Sequence, residues 1–308
     1  MRASSSKPHC LHMHTTQTLP SFSNTAEHLK TEIVGDVCHC SSVAQVDCDL
    51  TMNIQCKLVI LILALTLDDQ VETIIGGHEA VAHSRPYIVL LEMKTPRGKT
   101  KHCGGFLLNE DFVMTTAHCQ AKSYTVSLGV HIYGQKTNGI QEIPVDQAFP
   151  HEDYDATDLT NDIMLLKLSS KAHFSKTVKP IGLAGQGDGS LPKSCIVSGW
   201  GTTGINTGHL SHSLMEANVT LSDEEQCVTK NSYCSQGDIG LGGGDAGGPL
   251  VCEDGKVYGV ASSAFSPHGG GPKMYHYAKI PDYRHWIDSV MKYNGNRHTC
   301  YIQLTDPI

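Results

Sequence analysis

From residue 74 onward the chain is built of short apolar runs rich in β-branched residues, each bounded by glycine, asparagine or a charged turn. "PYIVLLEM" (86–93), "SYTVSLGV" (123–130), "DIMLLKL" (162–168), "CIVSGWG" (195–201) and "KVYGVASS" (256–263) are the clearest. Runs of this length and composition read as strands, because branched side chains fit a pleated, half-buried surface better than a helix. No helical pattern separates them. The first comes at "PDYRHWIDSVMKY" (281–293), where Tyr283, Trp286, Ile287 and Val290 recur at helical spacing behind a proline. Strands without interleaved helices do not form parallel βαβ units, so the pattern predicts an all-β double barrel or sandwich closed by one C-terminal helix. Thirty glycines in 308 residues supply the turns such a fold needs.

The first 73 residues are of another kind. Residues 1–51 are polar, rich in Ser, Thr and His, and show no sustained period, so they read as a disordered leader or an extension of the gene model. "HCLHMH" (9–14) and "CHC" (38–40) invite a metal-binding reading, but their spacing matches no strong zinc pattern, and no metal or cofactor is expected. At Met52 a start methionine, one lysine and the apolar run Leu58–Leu67 follow in order. That run has the length of a signal-peptide core and is too short to span a bilayer. Residues 52–73 are therefore read as signal peptide and short propeptide, residues 74–292 as the folded domain and 293–308 as a polar tail.

Charge and cysteines narrow the function. The formal net charge is −8 and no basic, aromatic-interleaved patch occurs, which argues against a nucleic-acid partner. Of 12 cysteines, seven lie after residue 100 and are widely spaced, as disulfides in an oxidising compartment would be. The expectation is secretion to the extracellular space or storage in granules, with no membrane association once the leader is removed.

Three motifs then carry chemistry. "TTAHC" (115–119) offers His118, "NDIMLLKL" (161–168) offers Asp162, and "GGGDAGGPLVC" (242–252) surrounds position 246. Acyl transfer needs a hydroxyl, an imidazole to take its proton and a carboxylate to hold the imidazole's tautomer. These motifs, in this order, resemble the chymotrypsin/trypsin-like serine proteases, whose nucleophile lies in G-D-S-G-G-P. In this chain Ala246 stands where that serine belongs. "IIGGHEA" (74–80), "IVSGWG" (196–201) and "HWI" (285–287) match the family as well, and "IIGGHEAVAHSRPYIVLL" is most similar to its granzyme, mast-cell chymase and cathepsin G branch.

The resemblance implies two six-stranded antiparallel β-barrels with a C-terminal helix. It implies a zymogen in which cleavage frees the Ile74 amine to pair with Asp245, an oxyanion hole at the backbone of Gly244 and Ala246, and Ser262 beside the aspartate. Bridges Cys103–Cys119, Cys195–Cys252 and Cys227–Cys234 follow from it too, the first worth about 3 kcal/mol for a loop of its size. Cys300 is then left over. Asn218-Val219-Thr220 is a glycosylation sequon on a strand-like segment.

The departures are as informative. Ala246 has no hydroxyl, and Ser262 and Ser263 are poor replacements because a nucleophile must reach His118. The segment before Asp245 is short and glycine-rich, and Gly240, Ala264 and Tyr275 fall on the specificity pocket. A tyrosine there is expected to plug it, and an alanine at 264 to stand where a glycine lets substrate approach. From residue 74 onward Lys and Arg number 19 against 23 Asp and Glu, so the basic charge that favours granule packing on proteoglycan is missing. The leading expectation is a pseudoprotease acting through protein or peptide ligands, protease inhibitors among them, as a monomer. The alternative is an active serine endopeptidase in which Ala246 is an artefact or an engineered change.

Overall fold

The computed structural model describes residues 74–187, 192–202, 209–222, 227, 232–267 and 270–295. The leader, signal-peptide and propeptide readings, and the tail beyond residue 295, fall outside the described residues.

Six strands form the first barrel: β2 (Ile88–Lys94), β3 (Thr100–Leu107), β4 (Phe112–Thr115), β5 (Ser123–Leu128), β6 (Gln141–Pro150) and β7 (Met164–Leu168). They close in the order β2-β3-β4-β7-β6-β5, every neighbour antiparallel. Alternation fills the interior: Val89 and Leu91 of β2, Val126 and Leu128 of β5, and Met164, Leu166 and Leu168 of β7 share one core. In β2 and β7 the intervening residues Ile88, Leu90, Leu165 and Lys167 are buried as well. Ile88 and Leu90 pack outward against Trp200 and Leu214, and Leu165 packs against the C-terminal helix. These strands are covered on both faces, which is why "YIVLL" and "IMLLKL" read as continuous apolar runs.

The second barrel closes through β8 (Ser194–Gly199), β9 (Met215–Ser222), β10 (Ser232–Gln236), β13 (Met274–Lys279), β12 (Val257–Phe265) and β11 (Pro249–Cys252). A two-residue strand, β1 (His78–Glu79), adds to β9. Cys195 and Cys252 face each other across β8 and β11 and are bridged, as are Cys103 with Cys119 and Cys227 with Cys234.

The helix α1 (Ile280–Gly295) covers the seam between the barrels. Ile280, Tyr283 and Ile287 pack with Phe106, Phe112 and Leu165 of the first barrel and Val257 and Val260 of the second. Trp286 and Val290 lie against the same cluster. The lysine inside the β7 run has a specific use. Lys167 is buried, and its ammonium donates to the Asn294 carbonyl at 2.6 Å, near the helix C-terminus. A cation there satisfies a carbonyl that the last turn leaves free. No helix among the described residues is long and apolar enough to cross a membrane.

Candidate active site

His118 sits in a single 3₁₀ turn, Ala117–Cys119, directly after β4. The bridge from Cys119 to Cys103 on β3 clamps that turn to the barrel. Asp162 enters just before β7, from a loop in which Leu159 and Asn161 hold φ of 61° and 52°. The Asn161 side chain donates to the Asp153 carbonyl and accepts from the Tyr283 hydroxyl at 3.2 Å, so helix α1 helps fix the loop beside the carboxylate.

The Asp162 carboxylate is 1% exposed and fully engaged. One oxygen accepts from the His118 backbone N–H at 2.8 Å. The other lies 2.7 Å from His118 Nδ1 and accepts from Ser262 Oγ at 2.6 Å. A buried carboxylate is tolerated when it is bonded in this way. With Nδ1 held by Asp162, Nε2 is the ring nitrogen left to take a proton.

The turn carrying position 246 is fixed from both barrels. The Ala246 carbonyl accepts from Gly104 N of β3 at 2.7 Å, and Gly247 N donates to the Ala261 carbonyl of β12 at 2.7 Å. Gly247 has φ of 89°, and a Cβ there would lie 2.2 Å from Thr115 Oγ1, so no other residue fits. The Ala246 methyl is half-buried against the first barrel's core. Among the described residues, neither Gly244 N–H nor Ala246 N–H donates to a protein acceptor, which leaves both for an oxyanion.

Asp245 points away from this turn into the second barrel. Its two oxygens accept from Gly201 N at 2.7 Å and Gly242 N at 2.8 Å. Burial pushes its pKa up to about 6 despite those two bonds. Ile74 is fully buried in the second barrel's core, and Gly240 N donates to the Ile75 carbonyl at 3.0 Å. In the uncut chain the Ile74 nitrogen belongs to a peptide bond, so it offers Asp245 no ammonium.

Of the pocket residues, Ala264 and Tyr275 are cross-strand partners on β12 and β13. Tyr275 is fully buried, and its ring packs onto Gly240 so closely that a Cβ there would come within 2.4 Å of it. Among the described residues its hydroxyl has no hydrogen-bond partner. Asn218 and Thr220 both face outward from β9. Two neighbours are not legible from sequence. Thr202 ties down the glycine run: its hydroxyl accepts from Gly243 N at 3.1 Å, and its own N–H donates to the Gly243 carbonyl at 2.7 Å. Lys273 stands over the Tyr275 ring, 5.2 Å from its centroid. Both arrive from loops with no local pattern to announce them. The ligand atoms of Cys103, His118 and Cys119 lie within 4.8 Å of one another, but both sulfurs are in a disulfide and offer no thiolate to a metal.

Two closed barrels with an imidazole–carboxylate–serine network at their junction define the chymotrypsin-like class of serine protease folds. Comparison with known proteins agrees. The trypsin family model matches residues 74–287. Mouse (Mus musculus) granzyme E is 39% identical over 246 residues, covering 76% of this chain and 98% of the granzyme. Rat (Rattus norvegicus) granzyme B is 38% identical over 250 residues, covering 77% and 99%. A solved structure described as "Structure of GrC" superposes with a TM-score of 0.63 at 35% identity, over 71% of this chain and all of that one. The chain belongs to the trypsin-like serine protease family and is related to the granzymes.

Proposed function

We propose that this chain is a secreted, granzyme-like protease homologue that binds protein or peptide ligands and does not cleave them. The observation that carries the reading is the Ala246 methyl in an otherwise complete site. His118 can accept a proton, but position 246 has none to give, so no acyl-enzyme forms. The backbone donors and the cleft do not depend on that hydroxyl and remain able to hold a peptide or an inhibitor's loop. Tyr275 on Gly240 fills the floor of the pocket against large side chains. Three disulfides support an oxidising, extracellular destination.

The test uses protein cut before Ile74 and a fluorescent peptide library. Anisotropy should report binding, while mass spectrometry should find the peptides intact after long incubation. Cleavage products that persist in a His118→Ala control would point to a contaminant, and products lost in that control would sink the proposal. The active-endopeptidase reading is favoured by the intact His118–Asp162–Ser262 network. It requires a serine at 246 in protein from its natural source, which sequencing the 242–252 peptide decides.

Secretion also implies a modification. Asn218 and Thr220 are both exposed on β9, leaving room for a glycan. Peptide N-glycosidase should lower the mass of the secreted protein, and Asn218→Gln should abolish that shift. An unchanged mass would remove the assignment.

A further inference from the structure

A cavity of about 250 Å³ opens on the outer face of the second barrel, and Asn218 of the glycosylation sequon is part of its wall. From its lining we infer that it is a sugar-binding cradle, whose occupant is the first N-acetylglucosamine of a glycan on Asn218. This deepens the modification reading above and rests on it.

Strand register builds the cradle. Cys195 and Val197 of β8 belong to the barrel's core, so Ile196 between them faces outward. Ile196 is the direct cross-strand partner of Asn218 on one side and of Val251 on the other. Side chains paired in this way stand about 5 Å apart on one face. A sugar carried on the Asn218 amide nitrogen is thus delivered beside two half-buried apolar side chains that line the cavity. Tyr87, half-buried just ahead of β2, supplies an aromatic wall. A pyranose ring presents a face of C–H groups, and such a floor and wall take that face out of water.

The polar rim suits the edge of the same ring. Sugar hydroxyls and the acetamido group both donate and accept, and the rim offers both roles. Arg85 donates through Nε to Glu216 at 2.8 Å, which uses one of the five guanidinium N–H groups. One Glu253 oxygen accepts from Ser194 N at 3.0 Å, and among the described residues the other is left to accept from a hydroxyl. Glu216 already balances the charge of Arg85, so the site favours a neutral ligand. Size agrees. Pockets for drug-sized ligands begin at about 300 Å³, and this smaller cavity fits one ring rather than a length of peptide.

The experiment compares the thermal unfolding of three forms of the secreted chain, made with oligomannose glycans. One keeps the full glycan, one is trimmed by endoglycosidase H to a single N-acetylglucosamine, and one lacks it through Asn218→Gln or, separately, Thr220→Ala. The full and trimmed forms should melt together, about 2–4 °C above both unglycosylated variants. In a Tyr87→Ala background the gap between glycosylated and unglycosylated chains should shrink by at least about half. The variant's own effect on stability cancels in that gap. Isotope-labelled sugar should also show nuclear Overhauser contacts from its ring protons to Tyr87, Ile196 or Val251, a readout that needs no substitution. If Asn218 carries no glycan, the modification reading and the cradle fall together. The cradle alone falls if Asn218 is glycosylated but trimming removes the gap, Tyr87→Ala leaves it whole, or the ring protons contact none of the three residues.

Discussion

Ala246→Ser is expected to turn a chain that ignores fluorophosphonate probes into one that is labelled at residue 246. The substitution adds one oxygen to a backbone already held by Gly104 N, Gly247 N and the Asp245 turn, so nothing need move to receive it. The base is in place, since His118 is held by both oxygens of Asp162, and Ser262 steadies that carboxylate in turn. In subtilisin, which uses the same triad logic on another fold, losing the nucleophile costs roughly 10⁶-fold in kcat. That is about 8 kcal/mol of barrier and an upper bound on what the serine can restore. A gain of at least about 10³-fold in hydrolysis of a small ester is expected once the chain is cut before Ile74. A double variant with His118→Ala should be silent in both assays. If the serine variant folds, as near-ultraviolet circular dichroism would show, yet neither labels nor hydrolyses, the site lacks catalytic geometry for reasons beyond Ala246.

Such a prediction is possible because much of the site is legible in the order of residues alone. His118, Asp162, Ser262 and position 246 each sit in a short recognisable run, and the packing around such a run admits few other residues, as Thr115 leaves no room for a side chain at Gly247. The strands buried on both faces announce themselves as apolar runs. Those with mixed faces do not. β6, "QEIPVDQAFP", carries two prolines and has one fully buried residue, Ile143, and β3, "TKHCGGFL", contains a glycine pair that reads as a turn. That pair is needed because another backbone crosses it: a Cβ at Gly104 would lie 2.9 Å from Gly248 N. Contacts of this kind join residues far apart in the chain, and neither period nor composition records them. The same holds for Asp245, whose Gly201 donor lies 44 positions away. Lys273 has no motif at all, and only the loop's return brings it over the Tyr275 ring.

Asp245 gives the second large effect, a pH dependence of stability that one cut should reverse. Its folded pKa of about 6 lies above the ordinary value of 3.8, chiefly because burial penalises the charged form. Below pH 3.8 the group is protonated whether the chain is folded or not, and it costs nothing. Between 3.8 and about 6 the unfolded chain releases the proton while the folded chain retains it, so stability falls as pH rises. Above about 6 the whole penalty is present, about 3 kcal/mol from the gap between the two pKa values. Cutting before Ile74 is expected to supply the missing counter-charge. An α-amine titrates near 8 when unpaired, and pairing with Asp245 raises it, so the pair stabilises most between about pH 6 and 8 and is lost as the amine deprotonates at higher pH. The cut also frees Ile74 from a φ of 41°, which a β-branched residue tolerates poorly. Denaturant titrations of the uncut and cut chains from about pH 4 to about pH 9 should therefore diverge. At about pH 7 the cut chain should be the more stable by about 3 kcal/mol or more, the margin should shrink toward about pH 4, and it should narrow again above about pH 8. Every carboxylate from residue 74 onward is common to both chains, so the difference isolates what the cut changes. Parallel curves would mean that Asp245 gains no partner from the cut, and the zymogen reading of "IIGGHEA" would fail with them.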